Sequence, residues 1–298
     1  MIQSKIRSMH GREKLFEIFV WMMGAFVFMI TFYPLWFVLI ASFSEPGLIS
    51  NGKVWFLPKG MNIDGYIKVF DDSRIWIGYR TTMIVTIVGT ALSMFVTIPC
   101  AYALSRKDFK IRKPLMLFFI FTMYFNGGLI PTYLIISQVL RLDNKIWVMI
   151  IPFCLNVYNL IVCRSFFENS LPIELLESAR LDGCTNTRFF FSIALPLSKA
   201  ILSVIMLYYV VLRWNDYFTA LIYVRDQNIK PLQIALRDIL LMNQAMQGAN
   251  SYASSESLRL SELIKYSCII VSTLPVLVLY PFIQKYFEKG VMIGALKG

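Results

Sequence analysis

The side chains that catalysis or metal binding needs are nearly missing from this chain: it has one histidine, His10, and five cysteines, Cys100, Cys154, Cys163, Cys184 and Cys268, with no CxxC spacing. A zinc site built on histidines is excluded, and a thiolate site has no clustered ligands. An odd set of cysteines, most of them inside apolar runs, reads as small core residues and not as a disulfide frame. Gly47-Leu48-Ile49-Ser50-Asn51-Gly52-Lys53-Val54 has the glycines and lysine of the phosphate-cradling GxxxxGK. Val54 stands where a Ser or Thr would hold magnesium, and no strand-to-helix context surrounds it. Nucleotide binding is not expected there.

The remaining polar candidates lie inside apolar stretches, where a charge at the helix centre costs roughly 2.5 to 3.5 kcal/mol. Arg213-Trp214-Asn215-Asp216-Tyr217 is one such run. At helical spacing Tyr209, Arg213 and Asp216 share a face, and Arg213 and Asp216 can neutralise each other. An interfacial girdle of aromatic and charged residues fits the same stripe. A second interruption, Asn126-Gly127-Gly128 followed by Pro131, weakens a helix and places an amide beside exposed backbone. Broken helices are tolerated where they line a cavity, and a glycine pair also serves tight packing.

The elements that must position these residues are membrane helices. Of 298 residues, 57% are hydrophobic and 16% charged, against about 25% charged in ordinary soluble domains. Six stretches reach the ~20 apolar residues that cross a bilayer as a helix. They run near Leu15–Ser42, Gly78–Leu104, Pro114–Leu140, Ile146–Phe166, Ala200–Ile222 and Glu262–Lys285. The net charge of +11 is scattered between them, which excludes a nucleic-acid face. Lys5, Arg7, Arg12 and Lys14, and the cluster Arg106, Lys107, Lys110, Arg112 and Lys113, place the N-terminus and the loop after the second span inside. Both termini are then cytoplasmic.

The segment 167–199 between spans four and five is patterned. Pro172 suits the start of a helix and Gly183 the position just past its end, with Ile173, Leu176 and Ala179 at helical spacing between them. Thr185 can cap a second helix through Phe190 and Ile193 that stops near Leu195-Pro196. The expectation is a bent helical hairpin at the membrane surface.

Glu177-Ser178-Ala179, then Gly183, then Ile193-Ala194-Leu195-Pro196 resembles the EAA motif of ABC-importer permeases at every spacing, with Ser178 replacing the second-position alanine. The flanking Leu181-Asp182-Gly183, Leu57-Pro58-Lys59-Gly60 and the terminal Lys297-Gly298 resemble the maltose-type, MalG-like carbohydrate branch, and Phe125 to Leu134 its LplC-like oligosaccharide sub-branch. The resemblance implies an all-α membrane protein of the type I ABC-importer permease fold, with six transmembrane helices and a cytoplasmic helix-turn-helix coupling loop. It divides the chain into an N-terminal segment 1–14, a permease domain 15–285 with coupling loop 167–199 and external loop 223–261, and a tail 286–298. Glu177, Ser178, Ala179, Asp182, Gly183, Ile193, Leu195 and Pro196 would couple to a partner ATPase. Asn126, Gly127, Gly128, Tyr209, Arg213, Asn215 and Asp216 would line a sugar path, offering planar polar groups and aromatic faces. The chain would bind no cofactor and be no enzyme; ATP and magnesium would sit on two ATPase subunits. A second permease subunit and an extracytoplasmic binding protein complete the expected assembly in the cytoplasmic membrane. An ion-gradient-driven secondary transporter is the competing reading, set back by the scarcity of buried acids and the lack of a clear internal repeat.

Overall fold

A computed structural model describes residues 2–249, 263–278 and 281. Among the described residues every regular element is a helix, and the chain divides into two compact units, one of residues 1–71 with 240–271 and one of residues 72–239 with 272–298.

In the first unit, α1 (Ile2–Ser42) runs without a break through Pro34. Its apolar part, Phe16–Ser42, is long enough to cross a bilayer, and Trp21, Met29 and Leu35 stand exposed along it, as a lipid-facing helix requires. Two short helices follow, α2 (Pro46–Ser50) and α3 (Asp64–Asp71). The GxxxxGK pattern lies on α2 and the turn after it, with a helix and no strand before it, so the phosphate-loop reading fails on structure as well. At Gly65 a Cβ would meet the carbonyl oxygen of Leu263 at 2.9 Å, so α3 and the helix Leu263–Val278 touch backbone to backbone.

The second unit is organised around α4 (Ser73–Ser105). Thr82, Thr86, Gly89, Ser93 and Thr97 recur every three or four residues and, with Thr90, are buried, while Met83, Ile87 and Phe95 on the other side are exposed. Small residues on one face let neighbouring helices approach closely. Against α4 pack α7 (Val157–Ser170) and α11 (Lys199–Trp214). Hydrophobic residues of all three, among them Ala101, Leu104, Leu160, Cys163, Phe167, Ile201 and Ile205, form one core. The N-terminus of α13 (Leu232–Ala249) closes the other end, where Thr82 Oγ1 accepts from Leu232 N at 2.9 Å.

Three expected spans are not single helices. The third turns by 110° between α5 (Arg112–Tyr124) and α6 (Leu129–Leu134), which continues as a π turn over Ile135–Val139. The cause is local: Gly128 holds φ +86°, and Asn126 Oδ1 accepts from Gly128 N at 3.0 Å in place of a helical bond. The fourth begins as one 3₁₀ turn, Ile146–Met149, and becomes α-helical only at Val157, capped by the Asn156 side chain. The fifth stops at Trp214 and resumes as α12 (Phe218–Tyr223). The sixth is described only over Leu263–Val278.

Candidate functional sites

The hairpin forms as its residue pattern requires. Pro172 is the N-cap of α8 (Ile173–Leu181), and Asp182 is its C-cap. Gly183 follows at φ +76°, its N–H donating to Arg180 O at 3.0 Å while Cys184 N donates to Ala179 O at 2.9 Å. That is the paired closure that a left-handed glycine allows. Thr185 Oγ1 accepts from Arg188 N at 3.3 Å and starts α9 (Asn186–Phe189). A π turn over Phe190–Ala194 joins it to α10 (Leu195–Leu197), where Pro196 has no N–H to offer the preceding turn. The chain then turns by 81° into α11.

One face of this hairpin is used up and the other is not. Leu176, Ala179, Phe189, Phe190 and Ala194 form a buried cluster, completed by Tyr102 from α4, whose ring lies 4.9 Å from that of Phe190. Ala179 is therefore small for its own hairpin's packing. Glu177, Ser178, Asp182, Gly183 and Pro196 are exposed, Ile193 and Leu195 half-buried, and Leu181 is 90% exposed. A Cβ on Gly183 would meet open space, so this tip is accessible from outside. Between the hairpin and the ends of α4 and α7 lies a groove of about 470 Å³, lined by Tyr102, Asp108, Phe167, Leu171, Glu174 and Glu177 among others.

Charged side chains tie the hairpin to the loop between α4 and α5. Asp108 accepts from Arg106 Nε and Nη2 at 3.1 and 2.9 Å and from Arg180 Nη2 at 2.7 Å. The hydrogen bond from Arg106 holds its carboxyl far below the usual range, with Arg180 acting in the same direction and burial opposing. A second pair, Arg164 with Glu168 at 2.7 Å, anchors α7, and Arg164 Nε donates to Leu104 O at 3.1 Å.

The intramembrane candidates are arranged otherwise than their spacing suggests. Arg213 is 2% exposed. Its Nη1 donates to Met149 O, and its Nη2 donates to Ile150 O at 3.2 Å, Phe153 O at 2.8 Å and Ser93 Oγ at 3.4 Å. The unwound stretch of the fourth span leaves these carbonyls without helical partners, and the guanidinium supplies them. Tyr209, one turn earlier, completes the repair: its hydroxyl accepts from Asn156 N at 3.1 Å and shares a hydrogen bond of 2.6 Å with Thr97. Gly89 makes the room, since a Cβ there would lie 3.1 Å from Arg213 Nε.

The expected Arg213–Asp216 ion pair does not form, and among the described residues Arg213 makes no ion pair. The reason is the end of α11 at Trp214, which takes Asp216 off the shared face; Asp216 Oδ1 instead accepts from Thr219 N at 3.1 Å and starts α12. Tyr209 is fully buried. Asn215 is exposed at the break, and Asn126, Gly127 and Gly128 form an exposed turn elsewhere. Asp108, Gly89, Ser93, Thr97 and Asn156 escaped the sequence reading. The signal for three of them was a hydroxyl or glycine at each turn of an otherwise apolar span.

Comparison with known proteins adds three findings. The family model described as binding-protein-dependent transport system inner membrane component matches residues 73–293. The polygalacturonan/rhamnogalacturonan transport system permease protein YtcP of Bacillus subtilis (strain 168) is 39% identical over 96% of this chain and all of its own length, and Protein LplC of the same organism is 35% identical over 99% of this chain and all of its own. A solved bacterial ABC transporter involved in the import of the acidic polysaccharide alginate is 30% identical, with a TM-score of 0.80 over 92% of this chain and 97% of its own.

Proposed function

Because the chain belongs to the family of binding-protein-dependent transport system inner membrane components, we propose that its α8–α10 hairpin seats a partner ATPase and that the breaks in its third and fifth spans lie along a sugar path. It is a membrane-spanning permease subunit of an ABC importer, moving a sugar or oligosaccharide, and is itself no enzyme. The ion-gradient alternative gains no support from these relatives.

One observation supports the seat: Leu181 stands 90% exposed beside Glu177 on a helix whose opposite face is fully packed. An apolar side chain so fully exposed at the tip of an ordered hairpin gains by burial in a partner, and Glu177 offers that partner a charge. Ser178, Asp182 and Gly183 complete the surface; Ala179, Ile193, Leu195 and Pro196 hold its shape. The nucleotide and magnesium belong to two ATPase subunits, joined by a second permease and an extracytoplasmic binding protein. The hairpin and both termini face the cytoplasm, and the permease domain occupies 15–285. Glu177→Lys and Leu181→Asp should each lower copurification of the ATPase and transport-stimulated ATP hydrolysis while leaving membrane insertion intact. Normal values for both in both variants would overturn the seat.

In the sugar path, Asn126, Gly127, Gly128 and Asn215 present amides and bare backbone to the substrate, with Asp216 holding the second break and Tyr209 and Arg213 positioning it from behind. The substrate class is an oligosaccharide cut from an acidic polysaccharide, supported by the two relatives named for such polymers. Uptake of a labelled neutral sugar that unlabelled galacturonate oligomers fail to compete would refute that class.

A further inference from the structure

We propose that Asp108 is a positioning residue that carries the movement of the hairpin into the spans. This inference rests on the hairpin's being the ATPase seat. Movement of α8 can reach α4 by two routes. One is the apolar packing of the hairpin's buried cluster, which includes Leu176 and Ala179 of α8, on Ile98 and Tyr102 of α4, with the rings of Phe190 and Tyr102 4.9 Å apart. Such a contact resists compression, but apolar attraction is non-directional and resists neither sideways sliding nor separation well. The other route is Asp108. It takes Arg180 Nη2 of α8 at 2.7 Å on the same Oδ2 that receives Arg106 Nη2 at 2.9 Å, while Arg106 Nε holds Oδ1 at 3.1 Å. Arg106 is the C-cap of α4, and Asp108 itself lies in the short loop that leads into α5.

Charge-assisted bonds of this kind fix distance and direction together, and a two-oxygen grip fixes orientation as well. A pull on α8 through Arg180 therefore reaches the end of the long span α4 through Arg106 and the start of the broken span through the chain. Arg180 is held in turn by Asn186 Oδ1 at 3.3 Å, so both arms of the hairpin grip the guanidinium that pulls. Side chains of Asp108 and Arg180 are about half exposed, at 49% and 45%. As a static stabiliser such a pair is weak. Its geometry, bridging three elements at the one face left open for a partner, fits a mechanical link.

The test uses the complete transporter in proteoliposomes, with its ATPases, second permease and binding protein, reading sugar imported per ATP hydrolysed. Asp108→Asn and Arg180→Gln should each lower that ratio about fivefold, the lower end of ordinary coupling energies, with assembly unchanged. The double variant should be no worse than either single one, and Asp108→Glu should restore most of the ratio, which a merely structural role would not require. Arg180→Gln, at the surface, serves alone if Asp108→Asn impairs assembly. Glu177→Lys is run beside them. An unchanged ratio in Asp108→Asn and Arg180→Gln, or losses that multiply in the double variant, while Glu177→Lys uncouples, overturns the link and leaves the seat standing. An unchanged ratio in Glu177→Lys overturns the seat and the link with it.

Discussion

The hairpin and the Arg213 cluster are both rich in polar residues, and they use them in opposite ways. At the hairpin, Leu176, Ala179, Phe189, Phe190 and Ala194 point inward, and Glu177, Ser178, Leu181, Asp182 and the bare Gly183 are left outside. In the cluster, the polar side chains turn to the chain's own backbone: the guanidinium of Arg213 and the hydroxyl of Tyr209 serve the backbone of 149–156, and Arg213 Nε is left without a hydrogen-bond partner among the described residues. Polarity at a surface is available to a partner, whereas polarity in a bilayer is first consumed by the chain's own unpaired groups.

The sharpest way to break this contrast is Arg213→Met. It strands the carbonyls of Met149, Ile150 and Phe153, each costing roughly 1 to 3 kcal/mol when buried and unpaired. We expect a loss of about 3 kcal/mol or more, seen as a large drop in the unfolding temperature of the detergent-solubilised chain, partly recovered in Arg213→Lys. A stable Arg213→Met variant with altered sugar preference would return Arg213 to the substrate path. Gly89→Ala tests the same cluster from the other side. Its Cβ would stand 3.1 Å from Arg213 Nε, and crowding a well-packed site costs about 1 to 3 kcal/mol. The same thermal assay reads it, and an unchanged melting temperature would mean that the guanidinium has room to move.

These outcomes bear on what the sequence made legible. The hairpin was readable because its signals are local: Pro172, Gly183 and Thr185 act within one turn of themselves, and the structure uses each at the end where it was expected. The broken third span was readable for the same reason, since Asn126 and Gly128 make the break among themselves. The role of Arg213 was not. Its partners lie about 60 residues back in the chain, and the nearest acidic residue, Asp216, drew a pairing that the end of α11 prevents. Asp108 lies in a basic loop where no local signal marks it, and only the 72-residue reach to Arg180 gives it meaning.

At the hairpin the expected stability effects are smaller and the functional ones larger. Gly183→Ala meets open space but must hold φ +76°, a conformation that costs a non-glycine residue roughly 1 to 2 kcal/mol. The bend should loosen and ATPase copurification fall, while chemical denaturation of the chain shifts by no more than about 1 to 2 kcal/mol, less than in Arg213→Met. Tight ATPase binding in this variant would remove the bend from the seat. The Asp108 link should be smaller still, under about 1 kcal/mol after solvent screening. Its carboxyl titrates below the unfolded range, so its contribution is fully present above an ordinary Asp pKa of about 3.9 and is lost only as pH falls through the folded value. Coupling measured between pH 8 and pH 5 should therefore stay flat on this account. A decline across that window in wild type that is absent from Asp108→Asn would contradict it.

Asn215→Ala should disturb the fold least and thereby sharpen the comparison most. Asn215 is an exposed polar residue beside the buried cluster, and among the described residues its side chain is committed only to Val211 O, at 2.9 Å, a bond within its own helix end. Losing that bond in an exposed setting should cost no more than about 0.5 kcal/mol, the low end for a hydrogen bond. The variant should melt with wild type, insert normally and keep its ATPase. If its amide meets sugar, uptake weakens and the preference among oligosaccharides changes at constant protein level. A variant with wild-type preference would place Asn215 among the residues that only end a helix, and the sugar path would then rest on the turn at Asn126 to Gly128. A variant that fails to insert would show that even an exposed amide at a span break serves the backbone first, erasing the distinction between the two regions.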